Sequence, residues 1–74
     1  MASIPIRTLG RILTGEERGK FVKVISDKEN TGGFLILTGE GRELKHGFDN
    51  WVKNELDLEG YFQESGWLIE WVSD

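Results

Sequence analysis

The chain contains no cysteine, one proline, one histidine and no long apolar run. Each shortage closes off a class of protein. Without cysteine there is neither a disulfide framework nor a thiolate to act as nucleophile or metal ligand. With His46 as the sole imidazole, a zinc site would need a shell built almost wholly of carboxylates, so no metal and no cofactor is expected. The longest apolar run, Gly33-Phe34-Leu35-Ile36-Leu37, is far short of the ~20 residues that cross a bilayer. The start, Met1-Ala2-Ser3-Ile4-Pro5-Ile6-Arg7, lacks the charged-then-apolar order of a secretory signal. A cytoplasmic protein that does not contact membranes is expected.

Basic side chains are also in the minority, nine against thirteen acidic ones, for a net charge of −4. This argues against attraction to nucleic-acid phosphates as the basis of function. The charge is unevenly spread: residues 1–39 hold six basic and four acidic side chains, whereas residues 40–74 hold three basic and nine acidic. The glycines fall singly or as one pair between apolar segments, so residues 1–74 read as a single domain with no linker. A short echo relates Ile12-Leu13-Thr14-Gly15-Glu16-Glu17-Arg18 to Ile36-Leu37-Thr38-Gly39-Glu40-Gly41-Arg42. It does not extend into a repeat, and it reads as two strands ending in the same kind of glycine turn.

Hydrophobic periodicity supplies the elements. A first strand over residues 9–13, joined by Ile4 and Ile6, loses its alternation at Gly10 and suggests a bulge there. A second covers residues 20–26, with Val22 and Val24 on one face and Phe21, Lys23 and Ile25 on the other. A third covers residues 33–38, linked to the second by a polar hairpin loop. Its four consecutive large apolar residues predict a strand covered on both faces, or on one face by the protein and on the other by a partner. Phe48, Trp51, Val52 and Leu56, then Leu58, Tyr61 and Phe62, repeat at helical spacing. They predict a helical turn over 49–54 and a helix over 58–65. Asp57 would be its N-cap, Leu56 and Tyr61 a hydrophobic staple, and Gly66 a left-handed C-cap. Residues 67–72 alternate as a final strand. The expected architecture is α+β: one small antiparallel sheet of about four strands in the order β-β-β-α-β, with a whole or broken helix on one face.

No pattern that carries chemistry is complete. Gly15-Glu16-Glu17-Arg18-Gly19-Lys20 has the outline of a phosphate-binding loop, but it is one residue short and has Phe21 where a hydroxyl belongs. Asp27, Glu29, Thr31 and Gly32 follow the start of a calcium loop whose twelfth position is Thr38 instead of a glutamate. His46 has no neighbouring nucleophile or acid in the sequence, and the pairs Glu16/Glu17 and Asp57/Glu59 lack apolar neighbours that would separate their pKa values. An enzyme is not expected. Arg11, Arg18, Lys20 and Lys23 form a modest basic stripe along the first hairpin, but Phe21 is the only aromatic among them, which is poor support for nucleic-acid binding.

The richest signal is acidic and aromatic. Six of the eight aromatic residues follow position 47, among the carboxylates of Asp49, Glu55, Asp57, Glu59 and Glu64. The candidate binding set is Asp49, Trp51, Glu55, Asp57, Glu59, Tyr61, Glu64 and Trp71: carboxylates that steer a basic protein partner and aromatics that anchor it. Trp71, near the C-terminus, is the tryptophan expected to be partly exposed.

The segments Glu29-Asn30-Thr31-Gly32-Gly33-Phe34-Leu35-Ile36-Leu37, Phe48-Asp49-Asn50-Trp51-Val52 and Tyr61-Phe62-Gln63-Glu64-Ser65-Gly66-Trp67-Leu68-Ile69-Glu70-Trp71 resemble small bacterial proteins of toxin-immunity type. The resemblance covers residues 29–71 and holds no reaction motif. It implies a single-domain cytoplasmic protein that occludes a toxin, and assigns no individual residue a role. Two readings follow: a non-catalytic protein-binding module that acts as a monomer, or a small structural or regulatory subunit that forms a homodimer by pairing its third or last strand across a sheet edge.

Overall fold

The computed structural model describes residues 4–27, 29–44 and 47–72. Five strands and one helix follow in the order β1 (Leu9–Ile12), β2 (Phe21–Asp27), β3 (Gly33–Gly39), β4 (Phe48–Val52), α1 (Glu55–Ser65) and β5 (Ile69–Val72). All pairings are antiparallel, and the strands lie side by side as β4-β3-β2-β1-β5. The α+β architecture with one helix over one face is as expected, with one strand more.

That extra strand is β4, which replaces the expected helical turn over 49–54. Apolar residues four apart, such as Phe48 and Val52, share a face in either a helix or a strand. Here they pair with Thr38 and Phe34 of β3, and Asn50 between them pairs with Ile36. The helix consequently begins at Glu55, earlier than expected, and its N-cap is Asn54 rather than Asp57. Asn54 is extended (φ −159°, ψ 178°), and its side-chain oxygen accepts the Asp57 N–H at 2.8 Å. Leu56 therefore lies in the first turn, pointing outward and 77% exposed, so it staples nothing. At the other end Gly66 is the expected left-handed cap (φ 68°), its N–H donating to the Gln63 carbonyl.

Ile12, Val22, Val24, Phe34 and Ile36 point to one side of the sheet and close over Leu58 of α1. The aromatic residues extend this core toward β5. The Phe62 and Trp67 rings meet edge to face at 5.5 Å, Tyr61 lies 5.9 Å from Trp67, and Trp71 lies 6.2 Å from Phe62. Ile4 and Ile6, expected to join the first strand, instead pack against this core ahead of Arg7, whose N–H donates to the Val24 carbonyl at 2.7 Å.

Gly10 is not a bulge, because β1 pairs with β5 without a break from Leu9 to Ile12. A Cβ there would lie 2.7 Å from Ile69 Cγ2 and 2.8 Å from the Trp71 ring. The missing side chain makes room for the indole. The two glycines of the internal echo also differ in role. Gly15 turns the chain at φ 84°, whereas Gly39 is buried at the end of β3 beside Leu44.

Candidate functional site: the helix-free face of the sheet

Side chains alternate across the strands, so the residues between the core positions must emerge on the face without a helix. The register sets them in rows. Trp51, Leu35 and Ile25 lie side by side across β4, β3 and β2, and Asp49, Leu37 and Lys23 form the next row. Phe21 sits beside Arg11, which pairs with Glu70, and Leu9 pairs with Val72. One residue beyond β1 and β5, Leu13 donates its N–H to the Leu68 carbonyl at 2.8 Å, and alternation carries both side chains onto the same face. Trp51, Leu13 and Leu68 are 49%, 39% and 61% exposed. No helix or strand among the described residues packs over this face, where Ile25, Leu35 and Leu37 are half-buried and Leu9 is only 5% exposed. An antiparallel sheet that faces water normally turns polar side chains outward, which this one does only in part.

Trp51 is held in place although half of it is open to solvent. Its Nε1–H donates to Thr31 Oγ1 at 2.8 Å, and the Thr31 hydroxyl donates to Asp27 Oδ2 at 2.8 Å. The loop between β2 and β3 fixes that hydroxyl: the Asp27 carbonyl accepts the N–H groups of Asn30, Thr31 and Gly32 at 3.0–3.2 Å, and its carboxylate accepts the Asn30 amide. The Asp27 side chain, which in sequence resembles a calcium ligand, is thus engaged within its own hairpin. The indole passes over Gly33, where a Cβ would lie 2.6 Å from Nε1. Any other residue there would displace the ring.

Charge frames the apolar rows. Asp49 and Asp27 flank the Trp51 end of the face, and Arg11 and Lys23 lie toward Phe21. The Arg42 guanidinium stands over the Phe21 ring, 5.8 Å from its centre.

The residues singled out in the sequence do not form one surface. Asp49 and Trp51 lie on the helix-free face. Glu55, Asp57, Glu59 and Glu64 line α1 on the opposite side, Glu59 half-buried and the others exposed. Asp57 approaches Lys53 at 4.0 Å. Tyr61 and Trp71 turn into the helix–sheet core, where the Tyr61 hydroxyl accepts the Asn50 amide at 3.0 Å. Trp71 is half-buried and so partly exposed, as expected, but Trp51 is the most exposed of the tryptophans, because Trp71 fills the space above Gly10. His46 lies outside the described residues. Leu35, Leu37, Ile25, Leu13 and Leu68 escaped the sequence reading as site residues, although the alternation of β2 and the apolar run of β3 carried their signal. No helix among the described residues is long and apolar enough to cross a membrane. No protein-family model, curated protein or solved structure matches the chain.

Proposed function

We propose that this protein is a non-catalytic binding module that docks another protein on the helix-free face of its sheet, with Trp51 as the anchor. The observation that carries the reading is a half-exposed indole held by a hydrogen bond beside the half-buried apolar row of Leu35 and Ile25. A fixed aromatic loses little freedom when a partner closes over it, which favours large contributions from single tryptophans. The carboxylates of Asp27 and Asp49 at that end suit basic residues on the partner's rim, where they speed encounter more than they add affinity. An inhibitor of toxin-immunity type would act in this way, by occlusion.

The acids of α1 lie on the other side of the sheet and cannot contact the same flat partner. The test is affinity capture from the source cell with three baits. The wild type and Leu56→Ala, altered on the outer surface of α1, should enrich the same protein, and Trp51→Ala should lose it. Equal enrichment by Trp51→Ala would refute the docking site.

Self-association through a sheet edge is the second reading. The topology restricts it, since β3 has neighbours on both sides and has no free edge, leaving β4 and β5. Sedimentation should find a single-chain mass; a stable dimer disrupted by substitutions in β4 or β5 would favour this second reading.

A further inference from the structure

The docking face ends at β4, which has a strand on one side only. Along an antiparallel strand the backbone groups alternate, each residue turning its N–H and C=O together to one neighbour or the other. This alternation can be followed across the sheet. Lys20 and Val24 turn their carbonyls toward β1, accepting from Ile12 and from Arg7, whereas the Asp27 carbonyl turns into the hairpin with β3. Phe21, Lys23 and Ile25 therefore face β3, and their partners Gly39, Leu37 and Leu35 face back. That leaves Phe34, Ile36 and Thr38 to bond Val52, Asn50 and Phe48, so the N–H and C=O of Asp49 and Trp51 point out of the sheet. Among the described residues nothing hydrogen-bonds to them.

Backbone donors and acceptors at this spacing are matched by one kind of ligand, another extended chain. Edges are commonly blunted by a bulge, a proline or a lysine, and Phe48-Asp49-Asn50-Trp51-Val52 has none of these. Phe48 to Trp51 are all exposed. Asp49 and Trp51 also carry their side chains on the helix-free face, so a chain bonded to their backbone would lie beside the indole. At the other edge, β5 turns the backbone of Ile69 and Trp71 outward, but their side chains pack against the core. A strand added there would miss the docking face.

We propose that the protein partner adds an extended segment to the edge of β4, with a lysine or arginine opposite Asp49 and a β-branched or aromatic residue, two positions away, opposite Trp51. The proposal rests on the docking-face reading and names the partner's chemistry there. Opposite charges, and aromatic residues beside β-branched ones, are favourable cross-strand neighbours. A second copy of β4 answers the edge less well. Centred on Asp49 it sets like charges opposite each other, and centred on Asn50 it sets Asp49 against Trp51. Centred on Trp51 it sets Asp49 against Lys53, which lies beyond the end of the strand.

The test is selection of linear peptides from a random displayed library on the immobilised full chain, followed by amide hydrogen exchange of the ¹⁵N-labelled chain with the synthetic selected peptide. Selected peptides should carry a basic residue two positions from a β-branched or aromatic one. At about ten times its Kd, the peptide should slow exchange of the Asp49 and Trp51 amides about tenfold. Methylating the peptide nitrogens that face β4 should abolish binding, and methylating the alternate ones should not. Asp49→Lys should weaken the peptide about two- to fivefold, the scale of an exposed charge pair. Failure of every selected peptide to protect these amides would overturn the proposal. So would equal tolerance of both methylation patterns, and if Trp51→Ala still weakened such a peptide the docking face would stand without strand addition. Protection at the edge that Trp51→Ala leaves unchanged would support strand addition and contradict the anchor. Protection that rises with the concentration of the chain alone would give the edge to a second copy and overturn the proposal.

Discussion

Two residues control where the indoles lie. Gly10 leaves a gap that Trp71 fills, so Gly10→Ala should cost about 1–3 kcal/mol through forced displacement of Ile69 and Trp71. Urea denaturation measures this directly, and a change under a few tenths would mean that the two side chains shift freely. Thr31 holds Trp51 through a hydrogen bond of 2.8 Å. Thr31→Val removes the acceptor of the indole N–H and should cost only about 0.5–1.5 kcal/mol, because Trp51 is exposed. Its larger effect should be dynamic, with faster motion of the Trp51 indole in ¹⁵N relaxation while Trp71 is unaffected. Neither role was legible beforehand. A glycine that breaks an alternation looks like a bulge until the chain that packs over it is known, and Trp51 and Thr31 are twenty residues apart.

At the scale of elements, local signals succeeded where one period fitted and failed where two did. β2, β3 and the glycine stop after α1 were legible because alternation and a left-handed cap have few rivals. Residues 48–52 fit both periods, and pairing with β3 decided between them. Moving that boundary also moved the cap from Asp57 to Asn54. Asn54→Ala should therefore destabilise the protein by about 1 kcal/mol, and Asn54→Asp should be nearly neutral. Asp57→Ala should cost less than Asn54→Ala in the same thermal melts, because among the described residues its side chain makes no cap and meets Lys53 at 4.0 Å.

Across the whole molecule, the charge division noted in the sequence becomes a division between faces. The α1 side is acidic, whereas the helix-free face mixes apolar rows with both charges. The acidic, aromatic half that looked like one surface was split by the sheet running through it: Tyr61 and Trp71 went to the core and Trp51 to the far face. Which acids surround which aromatics depends on strand order, which a single sequence does not contain. Because Leu68 is exposed, Leu68→Ser should change stability by no more than about 0.5 kcal/mol.

One pH effect belongs to the hairpin end of the molecule. The Glu17 carboxylate, 2.6 Å from Lys20, pushes the Lys20 ammonium above its ordinary pKa of 10.5 through their hydrogen bond. A raised folded-state pKa gives stability that is complete below pH 10.5 and lost as pH rises through the higher value. Glu17→Gln should flatten that alkaline loss in denaturation curves.

The central claim concerns which face meets another protein, and site-specific photo-crosslinking addresses it most directly. A benzophenone amino acid placed at Leu37, on the helix-free face, should trap a partner in the source cell, and the same group at Leu56, on the outer side of α1, should not. Crosslinks from position 56 with none from position 37 would contradict the account.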